Sequence, residues 1–200
     1  MIRDTSKKES GGDEVELIPV PEIVVLGLGN LLLRDDGVGV HAVRAFLEVC
    51  PANVLAVDVG TAVLRAEHLI ESPALLIVFD ALRAGGAPGS VYATDASGVR
   101  AEGIRHSLHQ VDLLEMLRTL RSRAPEVLIL GAEPKVIDYG CELSASVRAA
   151  VPVMIDRALA AIDFWQHASR SAKPHQNGSL FQWMTRSPGV QPIRPFCVRT

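Results

Sequence analysis

Residues 23–47 read Ile-Val-Val-Leu-Gly-Leu-Gly-Asn-Leu-Leu-Leu-Arg-Asp-Asp-Gly-Val-Gly-Val-His-Ala-Val-Arg-Ala-Phe-Leu. The opening run, Ile23 to Leu28, is short, apolar and rich in β-branched residues, which predicts a strand buried on both faces. Gly27 and Gly29 allow a turn that bulkier residues would block. Asp35 and Asp36 follow, and Val40, Val43 and Leu47 then recur at helical spacing, so a helix is expected to start near the aspartates. A carboxylate there is favoured by the helix dipole and can cap free N–H groups. The unit is strand, glycine loop, acidic pair, helix.

Two plain explanations compete for this unit. A dinucleotide-binding loop needs the order Gly-x-Gly-x-x-Gly. Gly27 and Gly29 fit it, but Leu32 stands at the third position. Two aspartates beside a phosphate site would also repel a pyrophosphate. Helix capping, the second explanation, accounts for one aspartate well and for two less well.

Working outward, 200 residues and 21.5 kDa indicate one domain, long enough to bury a substantial core. Hydrophobic residues at 48% argue against global disorder, and aromatic residues at only 4% make the core mainly aliphatic. A net charge of −3 gives no basic surplus for nucleic acid. Cys50, Cys141 and Cys197 are odd in number, far apart and without a Cys-x-x-Cys pair. They suggest neither a zinc site nor a disulfide framework, which fits a reducing cytoplasm. The charged first residues lack an apolar signal core, and no apolar run approaches the length of a membrane span.

Along the chain, residues 1–20 are polar and are expected to form a mobile leader. Apolar runs at Val54 to Val57, Ala74 to Phe79 and Val127 to Leu130 predict further buried strands, with another near Ser90 to Thr94. Thr61 is placed to cap a short helix carrying Leu64, His68 and Leu69. A helix is expected from about Gln110 to Leu120, and a last one from about Ser144 to Trp165, broken or kinked at Pro152. Alternating strands and helices with continuously apolar strands mean an α/β domain over 21–166. The expected form is a three-layer α/β/α sandwich around a mostly parallel, twisted sheet. Residues 167–200 contain prolines and basic residues but no acidic one. They are expected to be a loosely ordered tail, dispensable for the fold.

Asp36, Asp58 and Asp80 each lie just after the carboxyl end of a predicted buried strand, and His109 sits in a loop before a predicted helix. Ligand sites in open α/β sheets form outside the carboxyl ends of the strands. Two carboxylates and an imidazole suit a divalent transition metal with positions left open. Each residue also has an ordinary reading. A lone Asp after a strand is commonly a turn former, and His109, like its neighbour His106, can be a plain surface histidine. His41 and His68 sit within helical patterns and read as packing or surface residues.

The segment Gly27-Leu28-Gly29-Asn30-Leu31-Leu32-x-x-Asp35-Asp36-Gly37-x-Gly39 resembles the opening motif of the [NiFe]-hydrogenase maturation endopeptidases. Asp58-Val59-Gly60-Thr61 is similar to that family's Asp-Gly-Gly-Thr. Asp80-Ala81 with Pro88-Gly89 resembles its Asp-Ala…Pro-Gly segment, and His106-Ser107-Leu108-His109-Gln110 its histidine segment. Gly131-Ala132-Glu133-Pro134 and Tyr139-Gly140…Leu143-Ser144 resemble its last blocks. The resemblance runs from about Ile23 to Trp165, in order. Val59, where the family usually has glycine, is a departure; at a position of positive φ it would be strained.

The resemblance implies a cytoplasmic, monomeric endopeptidase. Its partner would be the large-subunit precursor of a [NiFe] hydrogenase, with neither nucleic acid nor membrane involved. The enzyme would remove a C-terminal extension after nickel insertion, cutting after a His or Arg just beyond the last cysteine motif. Asp36, Asp80 and His109 carry over as ligands to nickel, supplied by the substrate, or to a substitute divalent ion. Asp58, Gly29 and Asn30 carry over as supporting residues. The cleavage route stays open between a metal-activated water or carbonyl and an aspartate, Asp36 or Asp80, acting as general base. The family is classed with aspartyl proteases, yet the chain lacks an Asp-Thr-Gly pair, and it also lacks His-Glu-x-x-His and Gly-x-Ser-x-Gly. Two other activities remain open at this stage: a nickel-checking chaperone without cleavage, and a nucleotide-dependent oxidoreductase.

Overall fold

The computed structural model describes residues 21–71, 73–96, 113, 115, 125–170, 180–184 and 191–192. Its strands are β1 (Ile23–Leu28), β2 (Val54–Gly60), β3 (Leu75–Ala81), β4 (Val91–Thr94), β5 (Glu126–Ala132) and β6 (Gln191–Pro192). They form one sheet in the order β2-β1-β3-β5-β4-β6. β2, β1, β3 and β5 run parallel, and β4 is antiparallel to β5. β1 and β3 are buried at every position. Strands covered on both faces read as unbroken apolar runs, which explains why the sequence signal was strongest there.

Successive side chains of each strand point to opposite faces and feed two separate cores. On one face, Ile23, Val25, Leu75, Ile77, Phe79, Leu128 and Leu130 pack with α1 (Val38–Phe46) and α3 (Ala145–Arg170). Phe46 meets Phe79 edge-on there, with ring centroids 6.0 Å apart. On the other face, Val24, Leu26, Leu76, Val78 and Ile129 pack with Val63 and Ala66 of a 3-10 turn, Leu69 and Ile70 of α2 (Glu67–Glu71), and Leu113. This is the expected three-layer arrangement. Leu113 and Glu115, the described residues of the expected helix at 110–120, are both helical.

Several local expectations change. β2 runs on to Gly60 and β3 to Ala81, so Asp58 and Asp80 lie inside strands and not after them. α3 is continuous through Pro152 and extends to Arg170. No side chain caps the turn at Val63–Ala66, whose cap position is Ala62, and Leu64 is 68% exposed. Neither Asp35 nor Asp36 caps α1. Both sit in a 3-10 turn, Arg34–Gly37, that precedes it.

The reading of 167–200 as a loosely ordered tail is corrected for the residues described. α4 (Leu180–Met184) places Leu180 and Met184 in the first core, at 2% and 0% exposure. The Leu180 N–H donates to Glu126 Oε1 at 2.7 Å, and Trp183 stacks on Phe164 at 4.6 Å. β6 then pairs parallel with β4 along the sheet edge, where a proline such as Pro192 is tolerated. Proline-rich, acid-free composition concealed a five-residue apolar helix. Met184→Ala is therefore expected to cost about 2–3 kcal/mol of stability, the lower range for a core truncation. Urea denaturation checks this, and an unchanged midpoint would show that the tail does not belong to the core.

Candidate active site

Because β1, β2, β3 and β5 are parallel, their carboxyl ends share one edge of the sheet. Gly39 governs how α1 meets that edge. A Cβ at Gly39 would run into the carbonyl oxygens of Leu28 and Phe79, so only glycine lets the first turn of α1 sit on the ends of β1 and β3. Asp36, three residues earlier, is thereby held at the edge that also carries Asp80. Gly29 turns the chain at φ +127°, and a Cβ there would collide with the Asp36 carbonyl. The Asn30 N–H donates to Asp36 Oδ2 at 3.0 Å, and Asn30 Oδ1 accepts from the Leu32 N–H at 2.9 Å. Gly29 and Asn30 thus shape the loop around Asp36. Asp36 is 6% exposed and Asp80 fully buried; Asp80 Oδ1 accepts from the Ala81 N–H at 2.7 Å.

Asp35 has a different task from Asp36. It is fully buried. Its Oδ2 accepts from the Lys135 N–H and the Val136 N–H, both at 2.9 Å, and its Oδ1 accepts from the Ser144 N–H at 2.7 Å. The Ser144 hydroxyl donates to Oδ2 at 2.9 Å. Burial pushes its pKa up, but these bonds to the ionised form outweigh burial and hold it below the ordinary carboxylate value. Asp35 is a staple between the loop after β1 and the loop after β5. The sequence flagged it only as half of a pair.

Glu133 lies within the Gly131–Pro134 motif and organises the loop opposite it. Its Oε2 accepts from the Ala84 N–H at 2.9 Å, the Gly86 N–H at 3.2 Å and the Tyr92 hydroxyl at 3.0 Å. Burial above all, then that bond and the carboxylate's charge, pushes the Tyr92 phenol up. Glu133 therefore fixes the loop that follows Asp80.

Asp58 lies at the same edge but is engaged elsewhere. Arg44 Nε and Nη2 both approach its Oδ2 at 2.8 Å. This partly exposed pair ties α1 to β2. Val59 escapes the strain considered from sequence. The β1–β2 register slips after Gly27↔Asp58, and it is Gly60 that takes positive φ, +58°. His41 is half-buried on α1; burial first, then Arg44 and Arg148, depress its pKa, against a hydrogen bond to the Cys141 backbone.

His109, the third expected ligand, and His106 lie outside the described residues. Among the described residues, no group of three or more His, Cys, Asp and Glu side chains could hold a metal ion. The two buried carboxylates are the donor type that a divalent ion takes, and two of them leave most of its shell to other ligands.

The chain matches the hydrogenase maturation protease family (HycI) over residues 40–161. It is 36% identical over 155 residues to a hydrogenase expression/formation protein HupD of Rhizobium leguminosarum bv. viciae, covering 74% of this chain and 77% of that one. Among solved structures it resembles the hydrogenase maturating endopeptidase HybD from E. coli, with TM-score 0.65 and 27% identity over 71% of this chain and 92% of that one. The [NiFe] hydrogenase maturation protease HybD from Thermococcus kodakarensis gives TM-score 0.60 and 30% identity, over 70% and 97%. A sheet of this topology, with buried acids at its carboxyl edge and this extent of similarity, places the chain in the hydrogenase maturation protease family.

Proposed function

We propose that this protease removes the C-terminal extension of a [NiFe]-hydrogenase large-subunit precursor after nickel has been inserted. The observation that carries the reading is the burial of Asp36 and Asp80 at one sheet edge, in a chain of this family. In this reading Asp36, Asp80 and His109 grip nickel that the precursor already holds, so the ion arrives with the substrate. Another divalent ion is an acceptable substitute. Two carboxylates and one imidazole make an incomplete shell, suited to an ion shared with the thiolates of another protein. Asp36 or Asp80 supplies the general base for peptide hydrolysis, the aspartic route; the alternative is a water or carbonyl activated at the ion.

The enzyme works as a monomer in the cytoplasm. Cys50 and Cys141 are free thiols, and among the described residues no helix is long and apolar enough to cross a membrane. These facts support that placement.

The test is purified protease mixed with precursor made with or without nickel, followed by mass spectrometry of the large subunit. The nickel-loaded form is expected to shorten and the nickel-free form to stay intact. Trimming of the nickel-free precursor with no metal added would remove the nickel check but leave the protease. Nickel-dependent association with no shortening would indicate a chaperone instead.

A further inference from the structure

The structure describes an apolar rim around the candidate site. Leu32, Leu64 and Tyr139 are 62%, 68% and 86% exposed. They follow β1, β2 and β5 respectively, so all three stand at the carboxyl edge that carries Asp36 and Asp80. Single exposed apolar residues are ordinary, but their concentration around one edge is not.

Two of the three share a rigid platform. The Gly140 N–H donates to the Leu32 carbonyl at 3.0 Å, and the Arg34 N–H donates to the Gly140 carbonyl at 2.9 Å. Leu33 and Gly140 form a parallel bridge. Gly140 at φ +147° lies against the Arg34 side chain. Arg34, at φ +50°, is the only non-glycine residue with positive φ among those described. The Asp35 carboxylate, bonded to Lys135, Val136 and Ser144, fastens both loops from beneath. These bonds hold the backbone that carries Leu32 and Tyr139. A strained backbone kept by its surroundings is commonly found at a binding or catalytic site.

We propose that Leu32 and Tyr139, with Leu64 across the edge, are the docking surface for the substrate segment next to the cleaved bond. They would take a polypeptide presenting at least one large apolar side chain there. The proposal rests on the protease reading above. The occupant follows from continuity: Leu32 and Asp36 belong to one short loop, so the Leu32–Gly140 platform adjoins the acid at which the cleaved bond is proposed to lie. Tyrosine offers wide contact area with little rotamer freedom to lose, which suits recognition of a peptide. Leu47 and Val49, also exposed, lie after α1 and before β2, at the amino edge of the sheet. They provide a control of matched chemistry.

The experiment uses the full chain and nickel-loaded precursor. The double variant Leu32→Ser/Tyr139→Ser is expected to raise KM for precursor about tenfold or more with kcat nearly unchanged. Its thermal midpoint should match wild type, since both side chains are exposed. Leu47→Ser is expected to leave KM and kcat unchanged. An unchanged KM in the double variant, with wild type trimming normally, would overturn the docking surface alone. Failure of wild type itself to trim would instead overturn the protease reading. Sedimentation separates the remaining occupant: a wild-type dimer that becomes monomeric in the double variant would assign the rim to a second copy of this chain and refute the proposal.

Discussion

Asp80→Asn is expected to abolish trimming of the precursor while leaving the fold intact. Asp80 is fully buried within β3, and its Oδ1 accepts from the Ala81 N–H. Asparagine keeps the volume and a carbonyl oxygen for that bond. It loses the charge and the basicity that either an ion or a proton needs. Processing should fall on the order of 10²-fold or more, the range for loss of a positioned acid–base group. Asp36→Asn should behave alike, because an amide oxygen can still accept from the Asn30 N–H. His109→Ala completes the set. The unfolding midpoints, followed by circular dichroism, should stay within about 1 kcal/mol of wild type for the aspartate variants. Mass spectrometry of the large subunit reads the activity. Wild-type processing in any two of the three variants would rule out the trio.

The neighbouring acid should respond in the opposite way. Asp35→Ala is expected to cost roughly 3–5 kcal/mol, because it strands several buried donors at once. The Lys135, Val136 and Ser144 N–H groups would all lose their acceptor. Asp35→Asn is scarcely better, since its amide NH2 would face backbone donors where an oxygen is needed. The substitution that suits Asp36 therefore fails one residue earlier.

A pH dependence follows with a definite sign. The folded state holds the Asp35 carboxyl below its ordinary value of 3.8, so in that window the unfolded chain binds the proton more readily. The stability Asp35 contributes is complete above about that pH and is lost as pH falls through the lower, folded value. Wild type should lose stability steeply in that acid range, and Asp35→Asn should show a shallower slope. Equal slopes in urea titrations at several acid pH values would show that folding does not lower the Asp35 pKa.

The sequence alone determined the parallel core and the sheet edge at which the candidate site is proposed. β1, β3 and β5 were visible because burial on both faces demands unbroken apolar runs, a strictly local signal. The carboxyl edge followed from strand direction, and with it Asp36, Asp58 and Asp80. Among the described residues the family motifs lie at that edge, in its loops and strand ends, so they were legible in order. The roles within the edge were not. Asp35 and Asp36 are adjacent and identical in sequence, and only partners 100 to 109 positions from Asp35 make it a staple. Glu133 acts on Ala84 and Gly86, 49 and 47 positions earlier. The tail helix declared itself through contacts with Glu126 and Phe164, not through its composition. Periodicity reports which face of an element is buried. Which of two adjacent buried carboxylates bolts loops together depends on donors from distant loops, and folding alone brings those donors together.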